Sequence, residues 1–346
     1  MMSLKKAYEQ YFKIGTSVSK WNMEWPQAAK ELQKHYNSIT GENGMKPMFV
    51  LDMEENVEHP EKYNLNPALN FDSIRAFLKF STENELGLRG HTLVWHNQTP
   101  FWFFKENYSL DEKAPWADRE TMLARMEGYI KGVLTFVENE CPGVIYAWDV
   151  VNEAMEENEE DGWRKKSPWY QTVGEDFVAY AFRFARKYAG PGVKLFYNDY
   201  NTFLPKKRED ICNLILKPLL AEGVIDGIGM QGHLILNDSD LKEFEKSVHT
   251  FGELGLEVQV TELDIHCNSP EEEAMKQLAD TYAKLFGILV DAKKNGKANV
   301  TSVTFWGMKD DESWLTGFRK EKSYPLLFGE KYQEKAAYEA VMRVVQ

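Results

Sequence analysis

VIYAWDVVNEA, residues 144–154, is a run of apolar, β-branched and aromatic residues that ends on an amide and a carboxylate, Asn152 and Glu153. From Val144 to Val151 it holds a single charge, which suits a strand buried on both faces of a parallel sheet. Similar runs recur at Phe12–Val18, Tyr36–Thr40, Leu88–Val94, Val193–Tyr197, Ile225–Met230, Leu256–Leu263 and Val300–Phe305. Helical periodicity fills the intervals. Met122, Met126, Tyr129, Ile130, Val133 and Val137 share one helical face, with Asp118 in position to cap it. Phe177, Ala181, Phe184, Ala185 and Tyr188 form a second face, and Leu278, Tyr282, Leu285, Phe286 and Leu289 a third. A fourth helix is predicted from Asn70 to Leu86, stopped by Gly87. Eight strand-like runs alternating with helices predict an α/β fold, a single (β/α)8 TIM barrel occupying 1–346 as one domain. An open doubly wound sheet competes, but the glycine-rich turn of that class is missing. The first run ends TSVSKWN, residues 16–22, without a glycine.

Composition narrows the partners. The 346 residues are 43% hydrophobic and 27% charged, which excludes disordered and fibrous classes. Lysine and arginine minus aspartate and glutamate give 41 − 54 = −13. That charge repels phosphate backbones and anionic lipid, so nucleic acid and membrane surfaces are excluded, and a neutral or cationic partner is expected. No window approaches the roughly 18 apolar residues of a membrane span. The opening MMSLKKAYEQYF lacks the apolar core of an export signal, and Cys141, Cys212 and Cys267 form no CxxC pair. A cytoplasmic protein with reduced thiols is the resulting expectation.

A barrel of this kind carries its chemistry at the C-terminal ends of its strands, and the polar and aromatic residues gather there. The second run is followed by Glu42, Asn43 and Lys46, and the third by a stretch holding His91, Trp95, His96 and Gln98. The later runs end on Asn152 and Glu153, on Asn198 to Asn201, on Gln231 and His233, on Glu262, Asp264 and His266, and on Trp306 with Trp314 beyond. Phosphate loops, a GxSxG elbow and a zinc-type HExxH are absent. Glu153 and Glu262 each stand where a buried run reaches the barrel mouth. Two carboxylates facing one another there would be driven to different protonation states, as glycoside hydrolysis requires. The alternative is a pair of ordinary ion-paired rim glutamates. Trp95, Trp306 and Trp314 offer flat faces for stacking on sugar rings, whereas Trp148 belongs to the core. Trp21, Trp25, Trp102, Trp116, Trp163 and Trp169 receive no role. His91, His96, His233 and His266 with Asp264 raise the further option of a metal hydrolase. The HxH pair expected at the first strand is missing, and His91 and His96 point to opposite faces of a strand, so no metal and no cofactor are expected.

The sets GENGMK, GHTLVWHNQTPFW, WDVVNEA, FYNDYN, GMQGH, VTELDI and FWGMKDDESW, in this order, resemble glycoside hydrolase family 10, endo-β-1,4-xylanases on a (β/α)8 barrel. The likeness runs from the first strand to Trp314. It implies Glu153 as general acid/base and Glu262 as nucleophile of a retaining reaction, their carboxyls about 5–5.5 Å apart. It further implies that Asn152 bonds the sugar 2-hydroxyl, and that His233 and Asp264 hold Glu262 ionised and aimed. By the same resemblance His91, Trp95, Gln98 and Lys46 line the glycone side, with Glu42 and Asn43 one sugar further out. Trp306 and Trp314 roof that region, and Gln231 and Tyr200 support the nucleophile and the aglycone side. Xylan or xylo-oligosaccharides are the implied partners.

Two other readings remain beside it. A glucan-cleaving relative would prefer cellotetraose to xylotetraose, and a carbohydrate-binding protein without catalysis would bind oligosaccharide and turn none over. One stretch departs from the pattern: MEENEEDGWRKKSPWY follows WDVVNEA, with five acidic residues between Glu156 and Asp161. A solvated loop is one account of it, tuning of leaving-group binding another.

Overall fold

The computed structural model describes residues 2–346. Among them are nine strands: β1 Lys13–Val18, β2 Ser38–Gly41, β3 Gly87–Trp95, β4 Ile145–Asn152, β5 Lys194–Asp199, β6 Gly227–Met230, β7 His233–Ile235, β8 Glu257–His266 and β9 Asn299–Phe305. All eight predicted runs are strands, and β7 is an addition. The residues fall into two compact units, one comprising those up to Thr40, Tyr200–Arg208 and Gly227–Gln346, the other Gly41–Asp199 and Glu209–Asp226.

In the second unit β3, β4 and β5 lie side by side, all parallel, with Trp95 opposite Asn152 and Asn152 opposite Asn198. The crossover from β3 to β4 includes the helix Arg119–Glu140, and that from β4 to β5 includes Phe177–Tyr188. Parallel neighbours need such crossovers, and they bring every C-terminal end to one edge. Asp118 caps the first helix by accepting from the Thr121 amide at 2.7 Å, and its predicted apolar face is buried. The second helix turns slightly from expectation. Phe182 and Val178 are buried with Phe177, Ala181 and Ala185, while Phe184 and Tyr188 lie half-exposed. Both choices satisfy a 3.6-residue period, so only the neighbours decide between them. The fourth predicted helix spans Asp72–Glu83, after three short helices that follow β2; it ends at Asn84, Glu85 takes a left-handed conformation (φ 54°), and Gly87 opens β3 rather than stopping the helix.

Trp148 is core, as expected, and it explains a glycine. A Cβ on Gly90 of β3 would come within 2.2 Å of the indole carbons. Beside it lies a charged cluster sealed from water. Asp149 accepts from both terminal nitrogens of Arg89, Nη2 at 2.6 Å, and from His91 Nδ1 at 2.8 Å, and all three residues are at most 1% exposed. Removing one member of a buried charge set strands the others. Asp149→Ala is expected to destabilise the protein by about 3–5 kcal/mol, read as a fall in the denaturant midpoint. A change below about 1 kcal/mol would mean that the Arg89 charge finds compensation elsewhere.

In the first unit β1 pairs with β9 and β9 with β8, and both β6 and β7 pair with β8, again all parallel. The sixth predicted run is thus followed, after Gln231 and Gly232, by a second short strand. Gly232 has φ 80°, and a Cβ there would meet Val260 at 2.9 Å, so the step between β6 and β7 needs glycine. The helix Glu272–Lys294 joins β8 to β9 and buries the expected Leu278, Tyr282, Leu285, Phe286 and Leu289.

Candidate active site

Each unit gathers its own cluster at the C-terminal edge of its strands. In the second unit the centre is Glu153, the residue after β4. Its backbone is left-handed (φ 58°), a conformation that costs a non-glycine residue energy and is held by surrounding contacts. Its amide donates to Asn198 O at 2.9 Å, and its carbonyl accepts from Arg164 Nε at 2.9 Å. The side chain is held from two directions: Trp95 Nε1 donates to one carboxylate oxygen at 2.9 Å, and Asn152 Nδ2 approaches the other at 3.3 Å. Asn152 is fixed in turn by Asn198, whose Nδ2 donates to its Oδ1 at 2.9 Å.

Around Trp95 the same unit assembles Lys46, Asn43 and Gln98. Lys46 Nζ lies 4.9 Å from the centre of the Trp95 ring and donates to Asn43 Oδ1 at 3.1 Å, and Gln98 Nε2 reaches that oxygen at 3.1 Å. Glu42 is half-exposed beside them. His91 lies deeper than a lining residue, its Nδ1 committed to Asp149 and its ring 6.3 Å from that of Trp95. The acidic stretch forms a closed turn. Glu156 pairs with Arg164 at 2.6 Å and Asp161 with Lys165 at 2.7 Å, and Met155 and Trp163 form an antiparallel bridge. Arg164 therefore grips both that turn and the Glu153 backbone.

In the first unit the centre is Glu262, on β8 and 5% exposed. Its amide donates to Gln231 O at 2.8 Å, so the buried Gln231 between β6 and β7 positions it through the main chain. His233 stands between two carboxylates, with Nδ1 donating to Asp264 at 2.8 Å and Nε2 at 3.3 Å from Glu262 Oε2. Trp314 Nε1 donates to the other oxygen of Asp264 at 2.9 Å, and its ring meets the imidazole edge-on at 5.0 Å. Trp306 is buried, 6.5 Å from the same imidazole. Tyr200 carries the ammonium of the buried Lys207 at 3.5 Å from its ring centre.

Burial opposes a charge on His233, but Asp264 and then Glu262 outweigh it and push its pKa up to about 10. The imidazole is a cation at neutral pH. Because its folded pKa lies above the unfolded 6.5, the stability it contributes is complete below about pH 6.5 and is lost as pH rises through about 10. His233→Gln should therefore be less stable than wild type by a margin that is widest near pH 6 and narrows towards pH 10, measured by denaturant unfolding. A margin independent of pH would show that the imidazole is uncharged.

Sequence reasoning overlooked Arg164, Asn198 and Lys207. Asn198 lay in the FYNDYN set as an unassigned residue, while Arg164 and Lys207 gave no signal, because sequence spacing does not record which carboxylate, carbonyl or ring a cation meets. Of the tryptophans without a role, Trp102, Trp163 and Trp169 are buried, while Trp21 (64%), Trp25 (39%) and Trp116 (41%) are exposed.

Known proteins match along the whole chain. The chain is 54% identical over 342 residues to endo-1,4-beta-xylanase B of Butyrivibrio fibrisolvens, covering 99% of this chain and 53% of that protein. It spans about half the length of this relative and roughly a third of others from Thermotoga maritima and Ruminococcus flavefaciens. The CBM22-1–GH10 modules of Clostridium thermocellum xylanase 10B, solved with xylohexaose, superpose with a TM-score of 0.91 at 33% identity, over 100% of this chain and 68% of that one. The intracellular xylanase of Thermoanaerobacterium saccharolyticum, solved as a point mutant in complex with xylotriose, gives 0.85 at 34% identity, over 99% and 98% of the two chains. The model of glycosyl hydrolase family 10 matches residues 3–344. With that match spanning both units and the strand–helix alternation in place, the chain belongs to glycosyl hydrolase family 10 and has its (β/α)8 barrel fold.

Proposed function

We propose that this chain is a retaining endo-1,4-β-xylanase acting on xylan or xylo-oligosaccharides, with 1–346 as one catalytic domain. Family membership and the xylanases it resembles support the substrate class. One observation carries the assignment of roles: the two glutamates have unlike surroundings. Glu262 lies beside an imidazolium backed by Asp264, and a neighbouring cation favours the ionised carboxylate a nucleophile needs. Glu153 meets an indole N–H and an amide, neutral donors compatible with a group that gives and takes a proton.

Glu153 protonates the leaving glycosidic oxygen while Glu262 attacks the anomeric carbon, forming a glycosyl-enzyme. Glu153, now a carboxylate, takes a proton from the water that hydrolyses it. This double displacement needs the two carboxyls about 5–5.5 Å apart. Asn152 bonds the 2-hydroxyl of the sugar being cleaved. Lys46, Asn43, Gln98 and Glu42 hold the glycone with Trp95, His91 lies behind Trp95 as a supporting residue, Trp306 and Trp314 cover the sugar, and Tyr200 meets the aglycone. A cytoplasmic site of action is part of the proposal, supported by the likeness to an intracellular xylanase.

Proton NMR of xylotetraose mixed with the protein tests the reaction. Early appearance of the β-anomer, followed by mutarotation, is the expected result. An early α-anomer would mean inversion and would sink the nucleophile assignment, and no cleavage would sink the xylanase reading.

A further inference from the structure

β7 and β8 continue past the Glu262 cluster to a cavity of about 380 Å³ lined by Asn237, His266, Asn268, Ser269, Gln277 and Arg319, among others. Its volume lies at the lower end of the roughly 300–1,000 Å³ of small-ligand sites. The strand register relates it to the cluster. His233 lies opposite Asp264, and two residues further along Ile235 lies opposite His266, a step of about 7 Å. The helix Trp314–Arg319 makes the same connection, since Trp314 at its start bonds Asp264 and Arg319 at its end lines the cavity.

Arg319 is the unusual member. Its Nε is buried, and among the described residues the guanidinium makes no hydrogen bond or ion pair. This occurs in a chain with 54 acidic residues and a net charge of −13. A buried donor without a partner loses its hydration for no return, so it calls for a ligand. The carboxylates beside the lining side chains are already engaged. Glu321 is bonded by His266 at 3.0 Å and by Asn268 at 3.4 Å, and Glu273 by Gln277 at 3.1 Å. What the cavity offers is a guanidinium fork suited to a planar carboxylate, with amide and hydroxyl groups suited to sugar hydroxyls.

We propose that this cavity receives a uronic acid branch of the xylan chain, Arg319 binding its carboxylate and Asn237 and Asn268 its hydroxyls. The proposal rests on the xylanase reading and adds to it a preference for acidic branches. The test compares kcat/KM on unbranched xylotetraose and on xylotetraose carrying one glucuronic acid. R319Q should lower the value on the branched substrate about tenfold and leave the unbranched one unchanged, with R319K recovering part of the loss. Added salt should lower the wild-type value on the branched substrate alone. An equal fall on both substrates would assign Arg319 a structural role and overturn the proposal, as would no change on either. If the wild type cleaves neither substrate, the xylanase reading has failed, and calorimetry with the methyl glycoside of glucuronic acid judges the cavity by itself. Binding lost in R319Q would keep the carboxylate site, and no binding by the wild type would remove it.

Discussion

Glu262→Ala is expected to lower kcat on xylan by on the order of 10⁴–10⁶-fold, because the proposed double displacement would lose its nucleophile and with it the covalent route. Folding should survive. Gln231 holds residue 262 through its amide, and His233 retains Asp264. Circular dichroism and a melting curve check this before any kinetic result is interpreted. Azide then identifies the role. Entering the space the carboxylate left, it attacks the anomeric carbon once and should yield an α-glycosyl azide from an aryl xylobioside. A β-azide would mean that a second carboxylate still forms the intermediate, and the assignment would pass to another residue.

Glu153→Ala should show a different pattern. General acid–base catalysis contributes about 10²–10⁴-fold, and the loss should depend on the leaving group. On xylan, whose leaving oxygen needs a proton, kcat should fall by roughly 10³-fold or more. On a dinitrophenyl xylobioside the first step needs no acid. The intermediate should then accumulate, giving a burst of phenolate and a lowered KM. Azide should restore turnover here with a β-azide product, since it attacks the intermediate and inverts a second time. The basic limb of the pH profile should also vanish with the acid. An equal loss on both substrates, without a burst, would take Glu153 out of the proton-transfer role. Trp95→Phe offers a milder companion, because Trp95 donates to Glu153 and its ring faces Lys46.

Much of the architecture is legible in the order of the amino acids. The eight apolar runs are strands, Asp118 caps its helix, and Glu153 directly follows β4, whereas Glu262 lies within β8, which runs on to His266. These features are local. A strand buried on both faces has to be apolar along its length, a helix repeats its core face every 3.6 residues, and an N-cap lies next to what it caps. Where local rules allow two answers the reading slipped, as with Phe184 for Phe182 and with Gly87 as a helix stop.

The sequence by itself therefore determined the alternation of strands and helices and the identity of the strand-end residues, because covalent order and side-chain period suffice for both. Tertiary structure alone decided what those residues touch. The cradle of Glu153 draws on residues 95, 152, 164 and 198, that of Glu262 on 231 and 233, and the Arg319 cavity on segments from 235 to 319. No periodicity records such pairings. They arise because parallel strands joined through helices bring distant segments to one edge, and the charge state of His233 follows only from the two carboxylates found there.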